Sequence, residues 1–327
     1  MKRRTALAGM AALSAAAIVP AARAQQQIII RAGHGGQTGH PTHGAMVRMS
    51  GMLRDRTNGQ VRMDVFPDRQ LGEERELVEG LQLGTVDMTS VSTGPLVSFV
   101  PQVGVLDLPF LFQDSAHAYR VLDGEIGRDI LNRFAARGIH GLGYWENGWR
   151  HLTSRNPVNS PADLRGMKLR TMQNPVHIQA FRNLGAAPVP MAWGEVFTSL
   201  GQGVIDGQEN PLGVIALNSL WEVQRHVALT RHLYSPHLVL FSKARWDRLP
   251  ANVRDLITGM MPEITAWQRA EVTRLDREAA DLLRARGMTV SEVDIRPFQQ
   301  ATQQTYQQFR DRFDPALVAR IQAMAAQ

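Results

Sequence analysis

The chain has 327 residues, enough for two domains that each bury a core, and its 44% hydrophobic and 20% charged residues describe an ordinary globular protein. Its formal charge of +6 includes no lysine/arginine block of the kind that binds nucleic acid or an acidic membrane surface. The absence of cysteine excludes disulfides, thiolate metal sites and cysteine nucleophiles.

Lys2, Arg3 and Arg4, a small-residue apolar run from Ala6 to Val19, and Ala22-Arg23-Ala24 read as a secretory signal peptide cut before Gln25. The run falls short of the roughly 20 residues a spanning helix needs. Arg3-Arg4 followed by Leu7 also fits twin-arginine export, but basic starts commonly hold such a pair, and the general pathway is expected. Losing Lys2, Arg3, Arg4 and Arg23, with no acidic residue in that segment, takes the charge from +6 to +2. The mature protein is expected in the periplasm.

Ile28 to Ile30 predicts a first strand, and Met46, Met49 and Leu53 the helix after it. Val61 to Phe66 alternates as a strand up to Pro67, and Leu77 and Leu81 mark a second helix. Val86–Thr89, Val103–Leu106 and Ile139–Tyr144 read as further strands, with a turn at Asn147-Gly148. The same rhythm resumes with a strand at Lys168–Met172, a helix at His177–Leu184, a strand near Val189 and a helix at Glu195–Leu200. Asp206 to Pro211 reads as a loop. Leu238–Phe241 is a late strand, and Val253, Leu256, Met260, Ile264, Trp267, Leu275, Ala279 and Leu282 follow helical spacing, with Pro262 a kink or restart. The fold class is α/β: two α/β domains around a ligand cleft, on a mostly parallel sheet, with a long helix spanning both. The expected boundaries are 25–147 plus 236–275 for domain I and 148–235 plus 276–327 for domain II.

Arg170 ends the Lys168-Leu169 strand, where side chains enter the crevice of an open α/β sheet and a guanidinium can hold a carboxylate with two parallel bonds. A surface ion pair is the alternative. Arg150, after the Asn147-Gly148 turn, offers a second cation. Gln208, Glu209 and Asn210 bunch polar groups against Pro211, which a plain turn also explains. Trp193 is a cavity wall or a core aromatic, and Glu79 a hydroxyl acceptor or a solvated helix residue. Ser92, Thr93 and Gly94 follow the third strand and reach the crevice or only turn the chain.

Gly33-His34-Gly35-Gly36-Gln37-Thr38-Gly39 approximates a dinucleotide loop, but Thr38 replaces the third glycine, so a secreted NAD(P)-dependent oxidoreductase is only an alternative. His40 and His43 lack a third ligand at zinc spacing.

FPDRQLGEERELVEGLQLGTVDM, LDLPFLF, SPADLRGMKLRTM, LGAAPVPMAWGEVFTSLGQGVIDGQENP and WEVQRHVALTRH, in this order, resemble the DctP-type solute-binding proteins of tripartite ATP-independent periplasmic (TRAP) transporters. The resemblance spans essentially the whole mature chain. It implies a non-enzymatic monomer that binds one small organic acid, of the sugar-acid or C4-dicarboxylate class, closes by hinge motion and delivers it to integral membrane subunits. It places the carboxylate clamp on Arg170, a second, more variable arginine on Arg150, and the loop asparagine on Asn210. A hydroxyl-binding glutamate falls on Glu79, the aromatic on Trp193, and a substrate-reading position on Gln173. The Gln-Glu-Asn run departs from the metal-holding keto-acid subgroup, so no metal is expected, and the resemblance implies no cofactor. A binding protein serving a sensor kinase would share this pocket.

Overall fold

The computed structural model describes residues 27–326. The expected signal peptide lies outside the described residues. Among the described residues nine strands form one mixed sheet: β1 (Ile28–His34), β2 (Val61–Phe66), β3 (Met88–Ser92), β4 (Ile139–Ser154), β5 (Lys168–Thr171), β6 (Ala187–Pro190), β7 (Gly207–Pro211), β8 (His226–Ser242) and β9 (Thr289–Glu292). Their order is β2-β1-β3-β8-β4-β7-β5-β6, with β9 beside β8.

Parallel pairing holds for β1 with β2 and β3, and for β5 with β6 and β7, as expected of strands joined by helices. The centre differs. β4 and β8 pair antiparallel over nearly their whole lengths and run from one lobe into the other. Period-two alternation then divides the apolar side chains between the faces of the sheet. In the first lobe Tyr144, Leu238 and Leu240 enter one core, while Trp145, Val239 and Phe241 enter the core on the opposite face. In the second lobe Val227 and Ala228 divide in the same way. Each lobe is therefore a sheet covered on both sides.

Three expectations of local structure are corrected. Val103–Leu106 is part of a 3-10 helix, Pro101–Asp107, because a short apolar run carries no period of its own and Pro101 starts a helical turn. Asn147-Gly148 is no turn: β4 continues through it with a register shift between Glu146 and Gly148. Gly148 has φ +124°, and a Cβ there would lie 2.9 Å from an Asp276 carboxylate oxygen, so glycine is required by both conformation and space. Asp206–Pro211 is mostly strand β7, whose five residues are all buried.

The helix Ala251–Ala285 is one element of 35 residues, unbroken at Pro262. Pro262 is exposed, so the carbonyl one turn back that loses its partner faces solvent. Met260 and Ile264 pack in the first lobe, Ala279 and Leu283 in the second. The C-terminal segment divides: Phe298 packs in the second lobe, whereas Phe309, Phe313 and Ile321 return to the first lobe's core. Among the described residues no helix is long and apolar enough to cross a membrane.

Candidate functional site

A cavity of about 80 Å³ lies where strand ends of the two lobes meet. The first lobe contributes the loop after β1, Glu73 and Glu74 at the start of the helix Glu74–Leu83, Ser90 and Ser92 of β3, and His237 of β8. The second contributes Arg170 and Met172, Trp193, and Asn210 and Asn218, with Asn147 and Arg150 on β4 between. The lobes are closed on each other. Gly194 N donates to Glu73 at 3.1 Å, Gln37 Nε2 to Asn218 at 3.3 Å and Asn174 Nδ2 to Asp107 at 2.7 Å. A Cβ on Gly94 would sit 2.6 Å from Met172 Sδ, so glycine permits this approach.

Arg170 is 4% exposed and forms no ion pair among the described residues. Its Nε and Nη2 donate to the Met191 carbonyl at 3.1 and 2.9 Å, and its guanidinium lies 5.5 Å from the Trp193 ring centroid. These contacts fix the plane of the fork without neutralising it. Burial, with a smaller contribution from nearby Arg150 and against the attraction of Glu209, pulls its pKa down to about 10, so it stays charged near neutrality.

Arg150 is buried against a carboxylate already present. Its Nε and Nη2 donate to the Glu209 side chain, Nη2 at 2.8 Å, and Nη2 also donates to the Glu209 carbonyl at 2.7 Å. His232 Nε2 lies 3.2 Å from the same carboxylate. Burial alone would raise the pKa of Glu209, but Arg150 and these hydrogen bonds hold it below the usual carboxylate range. The pair is neutral as a unit.

The cavity brings together five residues expected from sequence: Arg170, Arg150, Asn210, Trp193 and Ser92. Asn210 Nδ2 donates to Gln208 at 2.7 Å, and Ser92 N and Oγ donate to Glu74 at 2.7 and 2.5 Å. The other three lie elsewhere. Glu79 is on the outer face of its helix, paired with Arg75 at 3.0 Å. Gln173 is exposed beyond the end of β5. Thr93 donates to Asp107 at 2.5 Å, behind the cavity wall. Glu74, one and a half turns before Glu79, occupies the cavity instead.

Sequence reasoning also missed His34, His40, His237 and Asn147. His34 was findable, because it ends β1 as Arg170 lies near the end of β5, and the same crevice argument applies. Gly33 sits within β1, paired to Phe66 and Thr89, so the glycine-rich run does not open as a phosphate loop directly after the strand. His40 caps the helix Pro41–Arg56, and no group of three metal-ligating side chains occurs among the described residues.

Burial pushes the pKa of His34, His40, His151 and His237 down to about 3, helped by neighbouring imidazoles for the first three and by Arg150 for His237. Each protonates in the unfolded chain near 6.5 but not in the native one, so unfolding takes up protons and stability falls with pH below about 6.5. Asp276, raised to about 7 by burial, acts in the opposite direction. These five groups together give an expected loss on the order of 3 kcal/mol between pH 7 and 5.5. Urea midpoints at the two pH values measure it; equal midpoints would contradict neutral burial of these histidines.

Comparison with known proteins agrees with this architecture. Residues 32–312 match the family described as bacterial extracellular solute-binding protein, family 7 (DctP). A solute-binding protein of Verminephrobacter eiseniae is 44% identical over 273 residues, covering 83% of this chain and 82% of the relative. Among solved structures, a TRAP periplasmic solute-binding protein from Bordetella, with density assigned to pantoate, superposes with TM-score 0.89 at 39% identity, covering 91% of this chain and 99% of that one. Another, from Polaromonas sp. JS666 bound to D-erythronate, gives TM-score 0.89 at 37% identity, covering 92% and 100%. The two-lobed fold, the interlobe cavity and the family match along most of its length place this chain in the DctP family of TRAP-type extracellular solute-binding proteins.

Proposed function

We propose that this protein captures a small organic acid in the cavity between its lobes and delivers it to the integral membrane subunits of a TRAP transporter. The observation that carries the reading is Arg170, a buried guanidinium with a fixed plane and no ion-pair partner among the described residues. Burying a lone cation costs several kcal/mol, and a bound carboxylate would offset that cost with two parallel charged hydrogen bonds. Arg170 is the clamp in this reading; Trp193 walls it, and Arg150, Asn210 and Ser92 contact the rest of the ligand. Glu79, Gln173 and Thr93 are not part of the proposed site.

The ligand is a sugar acid or a C4-dicarboxylate. Erythronate in one similar structure and pantoate in another support a small carboxylate. The lobes, 25–147 plus 236–275 and 148–235 plus 276–327 with residues from Phe309 onward returned to the first, would hinge at the crossing strands β4 and β8. The chain would act as a monomer in the periplasm after loss of residues 1–24, and the match to a binding-protein family supports a role without catalysis.

A thermal-shift screen tests the function. Sugar acids and dicarboxylates are expected to include a ligand that stabilises the protein by about 2.7 kcal/mol at a hundredfold excess over its Kd. A set of neutral sugars of matching size should give no shift. Stabilisation by neutral sugars alone would overturn the proposal.

A further inference from the structure

The second wall of the cavity is built of imidazoles. His34 ends β1, His40 caps the helix that follows and His237 lies on β8, and all three line the cavity from the first lobe. His43 stands behind them, its Nδ1 3.1 Å from His34 Nε2. The rings of His40 and His237 stack with centroids 6.1 Å apart. Their remaining polar contacts are few. His40 Nδ1 accepts the Thr42 amide at 3.2 Å, which puts the proton of the neutral ring on Nε2 and makes that atom a donor, with the Asn147 side chain as a neighbouring hydrogen-bond partner in the cavity. His237 Nδ1 lies 3.5 Å from Ser90 Oγ, at the limit of a hydrogen bond. His34, 1% exposed, has an Nδ1 with no partner among the described residues.

The charge around this wall is one-sided. Arg150 is already neutralised by Glu209, so Arg170 is the one lysine or arginine among the cavity-lining residues without a carboxylate partner. The acids Glu73 and Glu74 line the same cavity. A first carboxylate has a partner in Arg170. A second would meet uncharged imidazoles and two glutamates, with no free cation to replace its hydration. A hydroxyl fits this wall better, because it donates and accepts as a neutral imidazole does.

We propose that His34, His40 and His237 form a specificity wall that reads ligand hydroxyls, so that the ligand is a monocarboxylate carrying several hydroxyls rather than a dicarboxylate. This rests on Arg170 holding the carboxylate. Burial supports it by keeping the three imidazoles uncharged at neutral pH. Selectivity then follows from unpaired groups: a ligand without hydroxyls leaves buried ring nitrogens unsatisfied, and a ligand with a second charge leaves that charge unpaired.

Isothermal titration at pH 7.5 with acids paired by length tests the wall: erythronate against meso-tartrate, and galactonate against galactarate. In each pair only the terminal group changes, from hydroxymethyl to carboxylate. In whichever pair binds, the monocarboxylate is expected to bind at least about 100-fold more tightly. H237L and H40L should weaken that monocarboxylate at least about tenfold, while a hydroxyl-free acid of the same length, measured by competition, changes less than about threefold. H237N, which keeps a polar donor and acceptor, should recover most of the loss. The wild-type ligand pairs decide the charge rule even if a leucine variant fails to fold. A dicarboxylate that binds as well as its partner overturns the inference, as does an equal loss for hydroxylated and hydroxyl-free acids. Either result leaves the clamp standing if R170A still weakens binding by at least about 30-fold; if no acid binds at all, the proposed function falls with the inference.

Discussion

Arg170→Ala is expected to weaken binding of the carboxylate ligand by about 2–5 kcal/mol, at least about 30-fold in Kd. In the closed cavity a ligand carboxylate surrenders its water, and the groups that replace that water must be charged and already in place. Arg170 meets both conditions: Met191 and Trp193 hold the guanidinium plane, and its charge is not consumed by any acid among the described residues. Lysine at this position keeps the charge but presents a single point instead of a fork, so R170K should recover only part of the loss. The effect on folding should be different. Removing an unpaired buried cation relieves a desolvation cost while giving up two bonds to one carbonyl, and the ligand-free variant is expected to match the parent's stability within about 1 kcal/mol. Titration calorimetry and urea unfolding on the same protein separate the two effects. Unchanged affinity would refute the clamp, and a collapse in stability would mean that Arg170 is a structural residue.

The parts of the fold that were legible from sequence are those where one physical signal dominates. The helix Ala251–Ala285 repeats its apolar face over many turns, and β1 and β2 are compact runs bounded by turn residues. β4 and β8 were read as fragments because register shifts at Gly141/Gly143, Glu146/Gly148 and Arg150/Leu152 interrupt the period of two. That error hid the element on which Arg150 sits. β7 was read as a loop because Gln208, Glu209 and Asn210 look like exposed polar residues, yet all are buried: Glu209 and Gln208 bond to Arg150 and Thr153 on β4, more than fifty residues away in sequence, and Asn210 bonds to Gln208 on its own strand. Polar residues on a buried strand break local rules at the point where a site is being built. Arg170 was legible because its position at a strand end carries its own meaning; Glu79 came from the family resemblance, and the structure turns it outward to Arg75 while Glu74, near the helix start, lines the cavity.

Glu209→Ala is expected to destabilise the ligand-free protein by about 3–5 kcal/mol, the usual effect of stripping one partner from a buried ion pair. Arg150 is 1% exposed and directs three hydrogen bonds at Glu209, and His232 adds a fourth. The carbonyl bond would survive, but the guanidinium would lose its counter-charge in a place water reaches poorly. Glu209→Gln separates charge from shape, because the amide oxygen can still accept from Arg150 and the strand pairing to Leu152 is unaffected. Its loss should be intermediate. Urea unfolding measures both, and a change below about 1 kcal/mol for the alanine variant would show that Arg150 finds other compensation. Ligand choice should shift as well. With Glu209 neutralised, Arg150 presents an uncancelled charge to the cavity beside Arg170, so the glutamine variant is expected to gain affinity for dicarboxylates relative to the hydroxylated monocarboxylate. An internal carboxylate on β7 would thus act as the stand-in for a second ligand charge, and its removal would turn a site for one carboxylate into a site for two.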